Sequence, residues 1–337
     1  MNCKIDVVIP WVDGNDPEWI RERDKYFFKD GVEKKSNSNV RYQSWDNIHL
    51  LLRAVEKCMP WVNKVFLITC GHLPPNLNKE CSKLRIVKHS DYIPHEHLPT
   101  FNGITVEMNL HRLEDLSENF ILFNDDTFPL HPIKETYYFK NNKVCDEAVE
   151  GHIIPVNNHD FSAGMCYITA NNMLVINKYF SKREVQKKNF FKWFYPGYGR
   201  LLMRNISLNY WYDFAGFHNP HMPNSFKKSS FSEIWEKEPD ILEKTSSNKF
   251  RCHDDVSQYL VRYWQLCKGD FCPRKTRGKY YNVSKNNYKK IADDILNRRY
   301  QFVCLNEQCT PEEFELIKHD INVALETIYP EKSSFEL

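Results

Sequence analysis

Four short clusters of polar residues in this 337-residue chain combine side chains that could carry chemistry. They are WVDGNDPEW at 11–19, FNDD at 123–126, HNPHMPNSF at 218–226 and RCHDD at 251–255. Between them they supply carboxylates, imidazoles and a guanidinium, the groups that bind cations and phosphates and that move protons. The clusters are far apart in sequence, so a common site requires a fold that brings them together.

The acidic pair Asp125 and Asp126 follows an apolar run, so both carboxylates stand at the end of a predicted strand. Nucleotide enzymes hold Mg²⁺ with a few carboxylates together with substrate oxygens, and the pair fits that use. The alternative is that the two residues only form a turn or a helix cap. The pair therefore predicts a divalent cation, Mg²⁺ or Mn²⁺, that faces a pyrophosphate.

Pro220 and Pro223 keep the segment around His218 and His221 out of any smooth helix. A histidine on a loop is a natural general base, and His221 is the candidate. The plainer alternative is a surface or core histidine that only makes hydrogen bonds.

Arg251 precedes His253, Asp254 and Asp255 at the predicted start of a helix. Carboxylates there suit the helix dipole, and a guanidinium can hold a phosphate with two hydrogen bonds. Capping accounts for the carboxylates but not for Arg251 and His253, so a phosphate contact is predicted for the arginine.

The elements that would position these groups are predicted from hydrophobic periodicity. Strands are expected at 5–10, 64–69, 84–88 and 120–123, with a helix at 44–57 between the first two. This alternation predicts an α/β fold with a mostly parallel sheet. Because ligands bind at the carboxyl ends of strands in such sheets, the two acidic loops are expected to converge on one crevice.

The rest of the chain consists of a middle part without a clear secondary-structure pattern and a helical C-terminal part. Further helices are predicted at 105–117, 231–242, 255–267 and 311–328. The middle is rich in asparagine and aromatic residues and is expected to be an inserted subdomain. Its basic aromatic stretch, 187–204, either packs as a subdomain face or contacts an acceptor or a membrane. The expected division is 1–132 for the first part of the core, 133–215 for the insertion and 216–337 for the second part of the core with C-terminal helices.

Composition excludes several classes of protein. The 46 basic and 44 acidic residues leave a net charge of +2, which does not indicate a nucleic-acid partner. Eleven glycines and 14% aromatic residues are typical of a folded globular protein rather than a disordered or collagen-like chain. No run approaches the ~18 apolar residues of a membrane helix, and no signal peptide is recognisable. A cytoplasmic location is expected, with peripheral association at the inner face of a membrane left open.

The ordered set of motifs resembles a known family. IDVVIPWVDGNDPEW, RYQSWDNIHLLLRAVEKCMPWVNKVFLIT with FILFNDD, HNPHMPNSF through RCHDD, and FVCLNE are similar, in order, to the four conserved regions of the Stealth family. That family contains bacterial capsular or exopolysaccharide phosphotransferases and the catalytic subunit of the lysosomal-enzyme GlcNAc-1-phosphotransferase. The resemblance implies a GT-A-like or Rossmann-like nucleotide-binding core.

The resemblance also implies roles for individual residues. Catalytic parts are implied for His221, Arg251, Asp126 and Asp6. Contacts to the nucleotide-sugar donor are implied for Trp11, Asp13, Gly14, Asn15, Asp16, Arg41, Asp46, Asn124, His253 and Asn306. The metal ligands would be Asp125 and Asp126, together with Asp255 or Glu307. Glu307 stands where similar proteins often carry an aspartate.

The function implied by the resemblance is transfer of a sugar-1-phosphate from a nucleotide sugar, UDP-GlcNAc being one such donor, to a carbohydrate hydroxyl. The product would be a phosphodiester in a capsular or surface polysaccharide, and UMP or CMP would leave. One alternative is a glycosyltransferase that releases a nucleoside diphosphate. The other is a carbohydrate-binding protein in which the acidic loops hold a structural cation.

Overall fold

The computed structural model describes residues 3–27, 44–154, 163–307 and 309–337. Within these residues the strands, numbered β1 to β11 in chain order, are Ile5–Pro10, Val65–Thr69, Leu84–Lys88, Asn119–Leu122, Thr127–Pro129, Phe139–Lys140, Lys143–Asp146, Asn224–Lys227, Phe271–Pro273, Lys279–Val283 and Phe302–Glu307. The α-helices, α1 to α12, are Pro17–Phe27, Ile48–Cys58, Gly103–Met108, Ala163–Tyr179, Lys182–Lys188, Phe190–Trp193, Leu202–Leu208, Lys228–Lys237, Pro239–Ser247, Gln258–Lys268, Tyr288–Leu296 and Pro311–Ile328.

The main sheet has five strands in the order β3-β2-β1-β4-β8. The first three neighbouring pairs are parallel, and β8 joins β4 in the antiparallel sense. Its central strands are apolar along their whole length, and Val7, Val8 and Ile9 of β1 are fully buried. Such strands are typical of a parallel sheet covered on both faces. The predicted α/β fold with a mostly parallel sheet is confirmed.

Two smaller sheets attach the rest of the chain to the main one. One has the order β10-β11-β5, so the strand that follows the acidic pair contacts the last strand of the chain. The other has the order β6-β7-β9 and joins the predicted insertion, 133–215, to the C-terminal part. Helix α4 of the insertion also packs on α10. The boundaries of the three predicted parts remain a prediction.

Four predicted helices begin or end elsewhere, and the first of them, expected at 44–57, is α2, which starts at Ile48. The helix expected at 105–117 is α3 followed by a short 3₁₀ turn, because the Asn109 side chain donates to Thr105 O at 2.9 Å and to Ser246 Oγ at 3.0 Å. The helix expected at 231–242 is divided between α8 and α9, since Pro239 starts a new helix. Helix α10 starts at Gln258 rather than 255 because the chain before it forms a turn around the Asp255 carboxylate.

Candidate active site

The carboxyl ends of β1 and β4 meet at one edge of the main sheet. The chain runs from β1 through β2 to β3 on one side and returns to β4 on the other, so the direction of strand order changes between β1 and β4. The loop at 11–16 and the turn at 124–126 leave the sheet at this point. Ligand sites in open α/β sheets lie at such a switch point. The predicted convergence of the two acidic loops is therefore observed.

Antiparallel pairing of β5 with β11 brings the end of the chain to the acidic turn. Leu305 N donates to Asp126 O at 3.0 Å. This hydrogen bond places the next residues of β11, Asn306 and Glu307, beside the acidic turn at 124–126. Thr127 Oγ1 donates to Asp126 Oδ1 at 3.0 Å, and the Cys304 thiol lies 3.5 Å from Oδ2. We call Asp125, Asp126 and Glu307 the acidic cluster.

The electrostatics of the acidic cluster favour a cation. Asp125 is accessible to solvent, and the protein around it limits the hydration of its carboxylate. This environment, together with the negative charges of Asp126 and Glu307, raises the pKa of Asp125 to about 8. The surrounding protein also raises the pKa of Asp126. Carboxylates that repel one another in this way fit a divalent cation, which would remove the repulsion.

The spacing of the acidic cluster fits a cation that is shared with substrate. Among the described residues, the possible ligand atoms of Glu96, His97 and Glu243 lie within 4.8 Å of one another. The three carboxylates of the acidic cluster do not come that close together. Mg²⁺ is commonly bound by one or two carboxylates and completes its octahedron with water and phosphate oxygens. The more open acidic cluster suits that mode of binding.

Pairing of β8 with β4 delivers the histidine loop to the same edge. Leu122 at the end of β4 pairs with Asn224, and His221 lies three residues before Asn224. The His221 ring is 4.9 Å from the Tyr280 ring, and its backbone has a left-handed φ of 50°. The surrounding protein lowers the pKa of His221, while the charge of Asp126 acts in the opposite direction. His221 and Asp126 are thus neighbours, as predicted.

A cavity of about 340 Å³ opens beside the histidine loop. Its lining includes Glu147, Leu201, His218, His221, Lys279 and Tyr280. Acidic, basic and aromatic groups therefore meet in one concave surface, which has the character of a ligand pocket.

His218 is the better oriented of the two histidines. Its Nδ1 lies 2.6 Å from Glu147 Oε1, and the other carboxylate oxygen of Glu147 accepts from Thr276 N at 2.8 Å. Glu147 is almost fully buried, and although burial opposes the change, His218 and Arg262 lower its pKa. A carboxylate that holds one ring nitrogen fixes the orientation of the imidazole and strengthens the other nitrogen as a base. The sequence analysis did not single out this pair.

A buried ion pair holds the histidine loop from behind. Arg262 on α10 is fully buried and contacts both oxygens of Asp146, at 2.7 and 2.9 Å. The same guanidinium donates to His218 O and to Asn219 Oδ1, each at 2.9 Å. Arg262 therefore connects the strand end that carries Glu147 to the loop that carries His218.

Phe250, the residue before Arg251, belongs to a small aromatic cluster. Phe250 stacks on Phe101 with ring centres 5.2 Å apart, and Trp19 packs against Phe101 at 5.7 Å. Through Phe101, this cluster joins the polar segment at 11–19 to the one at 251–255. Arg251 lies close enough to Glu107 for its positive charge to act on that carboxyl.

Glu107 on α3 is a residue that the sequence analysis missed. The surrounding protein raises its pKa to about 7, against the opposing charge of Arg251. The charge of Glu107 also acts on Tyr259, whose ring is 6.4 Å from the ring of His221. Helices α3 and α10 are in contact, so Glu107 lies on an element that packs against the helix carrying Tyr259.

The catalytic part predicted for Asp6 is contradicted by its position. Asp6 stands near the amino end of β1, four residues or about 13 Å from the carboxyl edge where the site lies. It is fully buried, and its oxygens accept from Asn63 Nδ2, Lys64 N and Ser117 N at 2.7, 3.1 and 2.8 Å. Asp6 therefore ties two loops together at the opposite edge of the sheet.

The metal-ligand role predicted for Asp255 is also wrong. Its side chain is fully buried and accepts from Asn102, Asn248 and the Cys252 amide at 3.0, 2.7 and 2.8 Å. Both oxygens are occupied, so Asp255 braces the turn behind Arg251 instead of binding a cation. His253 stacks on Tyr167 with ring centres 4.3 Å apart, and its predicted contact with the donor remains untested.

The loop at 11–16 has its polar side chains engaged locally. The Asp13 amide donates to His72 Nε2 at 2.7 Å, and the Trp11 ring meets the His72 ring edge-on at 5.2 Å. Asp13 Oδ1 accepts from Asn15 N, and Asp16 Oδ1 caps α1 through Trp19 N at 2.7 Å. The loop including Gly14 lies at the switch point, where contacts of this loop with the donor remain a prediction.

Four further residues are predicted to contact the donor: Asp46, Asn124, Asn306 and Arg41. Asp46 forms an ion pair with Lys318 of α12, which gives it a partner within the protein. Asn124 belongs to the acidic turn, and Asn306 donates to Asn282 on the neighbouring strand at 3.2 Å. Arg41 lies outside the described residues.

Three conserved-region models of the Stealth family match the chain: Stealth protein CR1 over residues 4–28, CR2 over 41–147 and CR4 over 293–337. The capsular polysaccharide phosphotransferase WcwK of Streptococcus pneumoniae is 42% identical over 99% of this chain and 98% of its own. This chain belongs to the Stealth family. The exopolysaccharide phosphotransferase cps2G of Lactiplantibacillus plantarum is 35% identical, and the receptor polysaccharide phosphotransferase WefC of Streptococcus oralis is 32% identical; each match covers at least 96% of both chains. The expectation of a phosphotransferase is thus confirmed at the level of the family.

Two solved structures of the galactosyltransferase LgtC align with the structure of this Stealth protein, at 12% and 11% sequence identity. Each match covers 93% of this chain and 95% of the other, with TM-scores of 0.32 and 0.37. Similarity this low carries no weight for function. In the described residues, no helix is long and apolar enough to cross a membrane.

Proposed function

We propose that this Stealth protein transfers a sugar-1-phosphate from a nucleotide sugar to a hydroxyl of a carbohydrate acceptor, as a step in capsular or surface polysaccharide synthesis. Family membership supports the reaction class. The observation that carries the proposal is that the acidic cluster and the histidine loop meet at the switch point of the sheet. These groups supply the charges and the base that phosphoryl transfer requires.

In this reaction the acceptor oxygen attacks the phosphorus that is bonded to the sugar. A new P–O bond forms to the acceptor, the pyrophosphate P–O bond breaks, and a nucleoside monophosphate leaves. The acceptor hydroxyl must lose its proton as the bond forms. His218 is suited to take it, since Glu147 holds Nδ1 and the ring borders the cavity. His221, the candidate from sequence, is the second imidazole at the same place.

The phosphates of the donor carry negative charge that the site must balance. Mg²⁺ or Mn²⁺ held by Asp125 and Asp126, with Glu307 nearby, would neutralise part of that charge. Arg251 is suited to bind a phosphate oxygen of the donor. Removal of one such charged group commonly reduces turnover by about two to three orders of magnitude.

Identification of the released nucleotide tests the proposal. Purified protein is incubated with Mg²⁺, a panel of UDP- and CMP-sugars and an oligosaccharide acceptor, and the nucleotides are separated. Release of UMP or CMP together with a phosphodiester product is expected. Release of UDP would instead assign a glycosyltransferase, and donor binding without turnover on any donor would assign a binding protein. The exposed His319→Ala variant, on α12, serves as a control that should keep full activity.

A further inference from the structure

The helical segment 182–212 carries a charge unlike that of the rest of the molecule. It contains seven basic residues and one acid, a net charge of +6, whereas the whole chain carries +2. The remainder of the chain is therefore net negative. The segment includes α5, α6 and α7, and nothing in the proposed chemistry requires its outer surface.

The inner face of this segment is firmly packed. Lys182 and Glu150 form a fully buried ion pair at 2.8 Å. Asn205 donates to Ala148 O at 2.7 Å and to Trp193 O at 2.6 Å, and Tyr198 OH lies 3.0 Å from Ala148 N. The segment is thus a folded part of the molecule, and its outward side chains are held in place.

The outer face combines basic and apolar side chains on neighbouring helices. On α5 the buried positions are 182, 185 and 186, which leaves Arg183, Lys187 and Lys188 on the exposed side together with one acid, Glu184. On α7 the buried positions are 205 and 208, which leaves Met203 and Ile206 exposed. The two helices adjoin, because Lys182 Nζ donates to Leu208 O at 2.6 Å.

Aromatic residues add a large apolar area beside these helices. Phe191 and Tyr210 are each 84% exposed, Tyr212 is 79% exposed and Trp211 is 60% exposed. Arg183 connects them to α5, since its guanidinium donates to Tyr210 O and lies 5.5 Å from the ring centre of Tyr212. We call the side chains of Arg183, Lys187, Lys188, Phe191, Met203, Ile206 and Tyr210–Tyr212 the basic-aromatic face. Exposed apolar groups on this scale mark an interaction surface.

We propose that the basic-aromatic face docks the protein on the surface of an anionic phospholipid bilayer. Lysine and arginine are attracted to anionic headgroups, and tryptophan and tyrosine favour the interface between headgroups and acyl chains. A polysaccharide could stack on the aromatic rings, but its hydroxyl-rich surface is a poor match for the apolar side chains of Met203 and Ile206. A second copy of the chain would place the basic side chains of two such faces against each other. Lipid is the occupant that matches both the charge and the apolar side chains.

Sedimentation with vesicles tests this proposal on the full chain. The protein is mixed with vesicles of phosphatidylcholine alone or of equal parts phosphatidylcholine and phosphatidylglycerol, and the bound fraction is measured. One variant, Lys187→Glu with Lys188→Glu, reverses charge, and another, Phe191→Ser with Trp211→Ser, removes apolar area. The matched controls are Lys289→Glu with Lys290→Glu, and Leu316→Ser with Val323→Ser, which change exposed side chains of α11 and α12. Circular dichroism checks that every variant is folded.

Binding to the anionic vesicles only, weakened by salt, is the expected result. The charge variant should lower the partition coefficient by at least about tenfold, since each basic group contributes separately. The aromatic variant should also weaken binding, while the controls bind as the native protein does. Absence of binding to anionic vesicles, or equal binding by all variants, would overturn the proposal. Two other outcomes would also overturn it, in each case with no binding to vesicles. One is retention of a soluble acidic polysaccharide that both face variants abolish, and the other is self-association that both face variants abolish. Nucleotide release from a soluble acceptor should be unchanged in both variants, so this test is independent of the proposed function.

Discussion

Two histidines border the cavity, and their surroundings give them different capacities. His218 has a buried carboxylate on Nδ1, whereas His221 is an accessible ring in a left-handed turn beside Tyr280 and Asp126. A general base requires a fixed tautomer and a nitrogen directed at the substrate. On this physical argument we propose His218, three residues before the candidate from the sequence, as the general base.

Loss of the His218–Glu147 pair is expected to reduce turnover more than loss of His221. His218→Ala should lower kcat by about two to four orders of magnitude, and Glu147→Gln should lower it less but shift the acidic limb of the kcat–pH profile, because the ring loses its charged partner. Steady-state nucleotide release over a pH series measures both effects. An unchanged pH profile in Glu147→Gln, or near-normal turnover in His218→Ala, would transfer the base role to His221.

The acidic cluster contains a carboxyl that holds its proton unusually tightly. Because the pKa of Asp125 is raised to about 8, the folded protein keeps this proton at a pH where the unfolded chain has lost it. In the absence of a cation, the contribution of Asp125 to stability therefore falls as pH rises from its ordinary pKa near 4 towards 8. A divalent cation competes with the proton for the same oxygens, so it binds more tightly as pH rises.

Thermal stabilisation by Mg²⁺ should therefore depend on pH. The rise in Tm at a fixed Mg²⁺ concentration is expected to increase between pH 6 and pH 9 in the native protein. Asp125→Asn should reduce the rise and remove most of its pH dependence, since the amide carries no titrating proton. The half-exposed Asp115, which pairs with Arg85, gives the matched control Asp115→Asn. A pH-independent Mg²⁺ effect in the native protein would contradict the assignment.

At the level of elements, two antiparallel pairings and one helix assemble the site. The β4–β8 pair positions the histidine loop, and the β5–β11 pair positions Glu307. Helix α10 supplies Arg262, which contacts both Asp146 at the end of β7 and the histidine loop. The C-terminal helix α12 supports Glu307 through Trp45. The Trp45 ring packs on Phe314 of α12 at 5.0 Å, and its indole N–H donates to Glu307 at 3.3 Å.

Disruption of the Arg262–Asp146 pair should destabilise the protein and disorganise the histidine loop. Arg262→Ala leaves a buried carboxylate without its partner, a change that commonly costs about 3–5 kcal/mol of unfolding free energy. Urea denaturation measures that cost. Arg262→Met with Asp146→Leu should cost less than the two single changes together, because no charge is then left unpaired. The exposed Arg85→Ala is the control and should change stability by less than about 1 kcal/mol. Equal costs for Arg262→Ala and Arg85→Ala would show that the pair does not hold the fold.

At the scale of the whole molecule, the proposed cation would be shared between the acidic cluster and the donor. The acidic cluster is too widely spaced to surround a cation alone, and phosphate oxygens are the natural remaining ligands. Cation and nucleotide sugar should therefore bind cooperatively.

Cooperative binding predicts that Mg²⁺ and a nucleotide sugar together raise Tm by more than the sum of their separate effects. Each tenfold gain in effective affinity adds about 1.4 kcal/mol at saturating ligand. Thermal unfolding across a matrix of both concentrations measures the coupling. Asp126→Asn should reduce the coupling while the native-like Asp115→Asn control retains it. Strictly additive shifts in the native protein would exclude a shared cation.

The sequence alone determined the central strands, the mostly parallel sheet and the position of Asp125 and Asp126 after a strand. These features depend on residues next to one another in the chain, where apolar periodicity and turn chemistry act directly. Where side chains compete locally with the backbone, as at Asn109, or where proline ends a helix, as at Pro239, the predicted helix ends were wrong.

Only the tertiary structure decided which carboxylates are buried among protein donors and which reach solvent. Asp6 and Asp255 have the same chemistry as Asp125, but their oxygens are occupied by donors from distant or neighbouring loops. Glu147 and His218 meet across 71 residues, and Arg262 reaches Asp146 across 116. Such contacts follow from strand register and helix packing, which depend on the whole core, so no local spacing could reveal them.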